Sequence, residues 1–302
     1  MRRTLALLFL LGACGSAVAA SPQRPPVAFF NHSFAVLDAQ TADAIEHSDY
    51  LPKFGVFAVR TTTVDGGETW RGRYLSGKQT YLEFFGPDDL KGPGSGPGAT
   101  GLAISPDKAG GVVAITRSLV RQGIAHPDAA RRTRQYGADK IPWFDYVSTP
   151  DDPKSFSIWA MEYVPSYFED SRTAKEPAAY PGDISRERNQ SDDYAQKLMR
   201  DVTLVEIACP VEDLKQALAM FTAGGLSIRK AEDRVEASDG STTIILDAVP
   251  LDQAGLRRIV FDLNAPATEA HVERIGRSSL VVGPGEHAVW TFPVIAAPTL
   301  GR

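Results

Sequence analysis

Cysteine is nearly absent from this chain: Cys14 and Cys209 are the two present among 302 residues. Cys14 falls in an amino-terminal stretch that reads as a removable leader, which leaves Cys209 alone and excludes an internal disulfide framework. The fold must then be held by its core. Cys209 sits in the apolar run TLVEIACP, which suits a buried inert thiol better than a nucleophile. Basic charge is short as well: 32 Lys and Arg stand against 37 Asp and Glu, a net of −5. No basic stripe is present, which argues against nucleic-acid binding. HExxH, CxxC, GxSxG and Rossmann glycine fingerprints are missing, so zinc-protease and serine-hydrolase chemistry have no support.

Long apolar runs are missing beyond the start, so no later segment reads as a transmembrane span. The start, MRRTLALLFLLGACGSAVAASP, has two arginines, an apolar run and small residues, the pattern of an export signal over residues 1–20. Two processing routes are open. Cleavage after AVAA releases a soluble periplasmic or secreted protein beginning near Ser21. Alternatively LGAC is a lipobox, and Cys14 becomes the lipid anchor of a lipoprotein. Without Arg2 and Arg3 the balance is 30 basic against 37 acidic side chains, or −7.

What is present is ordinary globular composition, 43% hydrophobic and 23% charged, in a length that suits two modest domains. One pattern recurs: a short strand, a turn, a short amphipathic helix, then strands. NHSFAVLD, TGLAISPD, VTLVEIACP and LRRIVFDLNAP each open such a unit. Leu214, Ala217, Leu218 and Phe221 make the apolar stripe of the third helix, and Val112, Ile115, Leu119 and Val120 that of the second. ATEAHVERIG is expected as the fourth helix. The order predicts an α+β protein with helices on one face of antiparallel or mixed sheets. A first domain is expected over 27–165, a polar connector over 166–200 and a second domain over 201–295.

The stretch QTYLEFFGP carries the sharpest signal. Alternation puts Tyr81, Glu83 and Phe85 on one face, and a carboxylate in so apolar a layer needs a raised pKa or a partner. Glu83 is then a metal ligand or general base at a pocket wall, or it is paired to Arg60, Arg71 or Arg73. His32, in FFNHSFAVL, is a ligand or a hydrogen-bonded core histidine, and Asn31 orients it or a substrate, or serves as a turn residue. Glu162, in IWAMEYVP, is a site residue or a solvent-facing acid. Tyr81, Trp70, Tyr74, Trp159 and Phe85 line an aromatic pocket or fill sheet core. Arg60, Arg71 and Arg73 grip an anion or decorate an exposed strand face, and Arg186 and Arg188 belong to a lid or to a solvated linker.

The strand–helix–three-strand unit used in pairs resembles the vicinal oxygen chelate superfamily, the glyoxalase and bleomycin-resistance group. The resemblance implies paired βαβββ modules that curve a mixed sheet around a pocket, with a degenerate second copy over 201–295. In that group the first strand of a unit offers a His and the last a Glu, and His32, Glu83 and Glu162 match these places. Thr100 and Gly101 stand where the family often has His or Gln, and Glu206 and His287 correspond loosely in the second half. The resemblance implies a divalent metal (Mn, Fe, Ni, Mg or Zn) held by His32, Glu83 and Glu162. It implies an exported isomerase or lyase acting on a small oxygen-chelating substrate. Glu83 and Glu162 would then be catalytic, and Asn31, Tyr81, Arg60, Arg73 and Trp159 would bind substrate. The alternatives are a metal-free small-molecule binding protein using the same pocket, or a non-catalytic envelope-associated protein. The second domain is a degenerate copy or a homodimer surface. The whole chain also resembles a family of exported bacterial proteins of unknown function, through YLEFF, DISRERN and GRSSLVVGPGEHAVWTF.

Overall fold

Apolar and aromatic residues alternate along most strands, and two curled sheets result. The computed structural model describes residues 27–91, 95–150, 152–173 and 177–295. The expected leader and Cys14 lie outside the described residues.

The first unit runs β1 (Phe29–Val36), α1 (Ala39–Glu46), α2 (Leu51–Phe54), β2 (Val56–Thr63), β3 (Thr69–Ser76) and β4 (Tyr81–Phe85). The second runs β5 (Thr100–Ser105), α3 (Gly111–Arg121), β6 (Asp128–Tyr136), β7 (Asp139–Ser148) and β8 (Phe156–Tyr163). Together they make one mixed sheet ordered β2-β3-β4-β1-β5-β8-β7-β6. A helical crossover reverses the chain after each first strand, so β1 pairs parallel with β4 and β5 parallel with β8. The sheet curls until its two edges meet in a bridge between Val64 and Arg134.

After α4 (Pro165–Glu169) and α5 (Arg186–Asn189), the second sheet is built from β9 (Met199–Cys209), α6 (Val211–Gly224), β10 (Ser227–Lys230), β11 (Arg234–Ser238) and β12 (Thr243–Ala248). It is completed by β13 (Gly255–Ala267), β14 (His271–Ile275), β15 (Ser278–Val282) and β16 (Gly285–Thr291). Its order, β10-β11-β12-β9-β13-β16-β15-β14, repeats that of the first sheet. The architecture is α+β, two curled mixed sheets of glyoxalase-like modules with few helices.

The expected fourth helix is absent. Its segment is β14, where Val272 is exposed and Ile275 is buried, so the three-residue spacing marks no helical stripe. Without a helical crossover the unit is a Greek key: β14, β15 and β16 run back and forth, and β16 returns to pair antiparallel with β13.

One continuous core joins the two sheets. Phe84 meets Trp290 at 5.0 Å between ring centroids, and Phe54 meets Phe261 at 5.2 Å. Phe30 N–H donates to Asp239, and Thr80 N–H donates to Asp201, so buried strand ends are satisfied across the two sheets. Of the stretch expected as a solvated connector, Arg186 is buried. It donates to both Asp107 carboxylate oxygens and to the Phe30 carbonyl.

Candidate functional site

The site begins with a fault in a strand. Phe30 pairs with Ile104 and His32 with Ala103, so β1 spends two residues where β5 spends one, and Asn31 is the extra residue of a β-bulge. Two residues apart on an unbroken strand would share a face. Here Phe30 joins the shared core while His32 turns to the concave face of the first sheet. Asn31 is buried and its Oδ1 lies 2.7 Å from His32 Nδ1. That bond places the ring proton on Nδ1 and leaves Nε2 as an acceptor. The imidazole stacks on Tyr81 at 4.4 Å and meets Trp159 edge-on at 5.3 Å. Burial holds its pKa down at about 3, so it is neutral.

From His32 the register fixes the rest of the wall. The pairs His32–Tyr81 and Phe34–Glu83 put these four side chains on one face. The curl of the sheet turns that face into a cup of about 610 Å³. Phe34, Trp70, Trp143, Phe144, Tyr146 and Trp159 stand half-buried around it. Glu83 opens into the cup and, among the described residues, makes no hydrogen bond or ion pair. Burial pushes its carboxyl up to about 7, and the charge of Arg60 offsets only part of that. Burial also raises Tyr74, to about 12, and raises Tyr81 and Tyr163.

The cup gathers His32, Tyr81, Glu83 and Trp159, with Asn31 behind them. Trp70 and Phe85 line it too, while Tyr74 stands beside Glu83 on β3. Arg60 is on the same face of β2 but stacks on the Tyr74 ring at 3.9 Å, at the margin. Arg73 is on the opposite face, paired to Glu46 at 2.7 Å and Asp89 at 2.5 Å, and Arg71 also pairs with Glu46. Neither is available to Glu83 or to a ligand in the cup.

Glu162 does not join His32 and Glu83. It lies on the helix side of β8, where its two oxygens accept from the Gly110 and Val112 N–H groups, each at 2.8 Å. The N-cap of α3 is Gly110, which has no side chain to offer, so Glu162 supplies the missing acceptor and a favourable charge at the helix start. The expected metal set is therefore corrected to two donors from one unit. At the corresponding places of the second unit the cup-facing residues are Gly101 and Ala103 on β5 and Trp159 and Met161 on β8. A side chain at Gly101 would have to displace the Phe34 ring, since its Cβ would lie 2.1 Å from Phe34 Cε1. Among the described residues no group of three or more His, Cys, Asp and Glu is arranged to hold an ion. The residues present do not fit a three-ligand metal centre.

Sequence reasoning missed Trp143, Phe144, Tyr146 and Met161 as cup residues. The run WFDYV carried a signal, three aromatics in five residues on one strand.

Curled mixed sheets built from paired modules, with a cup on the concave face, define a protein of the vicinal oxygen chelate fold. The chain belongs to the family of unknown function DUF5829, whose model matches residues 30–292. None of the curated proteins matches it. Among solved structures it is similar to a hypothetical protein from Staphylococcus aureus, at 11% identity and a TM-score of 0.50, over 82% of this chain and 96% of that one. It is also similar to a catechol 2,3-dioxygenase, at 12% identity and a TM-score of 0.41, over 92% and 97%. A third is the 2,2',3-trihydroxybiphenyl 1,2-dioxygenase from dibenzofuran-degrading Sphingomonas wittichii, at 10% identity and a TM-score of 0.39, over 92% and 93%. At such identities the likeness concerns the fold alone.

Proposed function

We propose that the protein binds a small molecule in the aromatic cup of its first sheet. The observation that carries this reading is a concave cavity of about 610 Å³ whose half-buried rings surround one carboxylate and one neutral imidazole. A protein interior has little reason to leave so many rings half-covered around one cavity, and a cup of this size suits a drug-sized ligand. The leader sequence supports a periplasmic or secreted place of action. The test is a fluorescence and thermal-shift screen of the full chain against compact aromatic compounds. Saturable binding weakened about tenfold or more by Trp159→Ala is expected. Binding that neither Trp159→Ala nor Glu83→Gln changes contradicts the reading.

One observation favours a second, catalytic reading. A carboxylate poised at about 7 in a cavity that an imidazole acceptor also lines suits abstraction of a proton from a bound ligand. Solvent deuterium entering a bound ligand, and lost with Glu83→Gln, is the result expected of it; a ligand that binds without exchange removes it.

A further inference from the structure

The charges on the cup wall are lopsided. Glu68, Glu83, Asp128 and Asp152 face it with one guanidinium, Arg132. Arg132 lies 3.5 Å from Glu68, so its charge is already matched. Among the described residues Asp128 meets only the Tyr146 hydroxyl, at 3.4 Å, and Glu83 makes no hydrogen bond or ion pair. His32 is neutral and adds no positive charge. Arg73 is held on the opposite face by Glu46 and Asp89, and Arg60, stacked over the Tyr74 ring at the margin of the cup, is the cation whose charge reaches Glu83 and offsets it only in part. An anionic ligand would enter a field of its own sign.

The apolar part of the wall has the matching chemistry. Ring faces attract cations through their quadrupoles, and the attraction grows when the cation is desolvated. Phe34 stands opposite Glu83 and Tyr81 opposite His32 on the paired strands β1 and β4, and Trp159 reaches across β5 to meet the His32 and Phe34 rings at 5.3 and 6.2 Å, so a cation seated there meets ring carbon on several sides and a carboxylate on one. Resting on the reading of the cup as a ligand site, we propose that its ligand is an organic cation, a quaternary or protonated ammonium on an apolar body. The charged head sits among Phe34, Tyr81 and Trp159 against the Glu83 carboxylate, and the apolar body lies along Trp143 and Tyr146 toward the acidic rim.

The test uses three probes on one naphthylmethyl frame, ending in trimethylammonium, hydroxyl or carboxylate, titrated calorimetrically into the full chain at pH 8. Expected is a preference of about tenfold or more for the ammonium over the alcohol, with the carboxylate weakest. The preference should collapse in Glu83→Gln, an isosteric change at a residue that makes no hydrogen bond or ion pair among the described residues. The wild-type protein at pH 5.5 gives the same comparison without a substitution. An alcohol or carboxylate that binds as tightly as the ammonium overturns the cation inference and leaves the cup a ligand site. Binding of none of the three overturns both readings.

Discussion

Glu83 and His32 titrate in opposite senses over one pH interval. Burial raises Glu83 from 4.5 to about 7, so between those values the folded protein keeps a proton that the unfolded chain has released. Stability from this group falls as pH rises through that window. Burial lowers His32 from 6.5 to about 3, so there the unfolded chain holds a proton that the folded protein lacks, and stability rises with pH. The two slopes, each about 1.4 kcal/mol per pH unit, cancel between about pH 4.5 and 6.5. The tyrosines facing Glu83 do not titrate there: Tyr74, Tyr81 and Tyr163 are all pushed up. Denaturant titrations across this range should show Glu83→Gln steepening the rise of stability with pH and His32→Gln turning it downward, each relative to wild type. Equal slopes in all three proteins would contradict the assignment. Both residues were legible in the sequence because each is the one acidic or basic residue of its strand, Glu83 in YLEFF and His32 in FFNHSFAV. Their common face was only half legible. Alternation places Tyr81 with Glu83, but the bulge at Asn31 that turns His32 to the cup leaves no mark in the residue pattern.

At the scale of the element, β8 shows how alternation sorts function from support. Trp159 and Glu162 are three residues apart, so one strand cannot aim both at one cup. Trp159 faces the cup and Glu162 caps α3. Glu162→Ala should cost about 1–2 kcal/mol of stability through the lost cap and leave probe binding unchanged. Loss of binding at full stability would return Glu162 to the site. Gly101 is the reverse case, a small residue that the cup demands. Gly101→Ala must displace the Phe34 ring, and should weaken both stability and binding. Most helices and strands were legible from apolar periodicity, but β6 was not. Its sequence, DAARRTRQY, has almost no apolar residue, because most of the strand lies at an exposed or half-covered edge of the sheet. The missing fourth helix failed for the converse reason, since Val272 and Ile275 at helical spacing do not share a buried face.

Across the whole molecule, two sheets of like order share one core and do unlike work. The first keeps its concave face for the cup. The corresponding face of the second is tied up by ion pairs, with Glu206 held by Arg258 at 2.7 Å and Asp247 by Arg234 at 3.3 Å. The Glu206 position, loosely matched to a first-strand ligand, is thereby neutralised. Because Phe84 and Trp290 bridge the sheets, truncating either to Ala should cost about 3–5 kcal/mol and leave a single unfolding transition. Two separated transitions would show that the sheets unfold independently.

The chain has four tryptophans, and the fold divides them usefully. Trp70, Trp143 and Trp159 face the cup, while Trp290 is fully buried in the shared core with its indole N–H donated to Ser278 Oγ at 2.9 Å. The most direct test is a nitrogen–proton spectrum of the four indoles during titration with the naphthylmethyl ammonium probe. The account expects the three cup signals to move saturably and the Trp290 signal to stay. Four unmoved signals, or a Trp290 signal that moves while those of the cup do not, would contradict it.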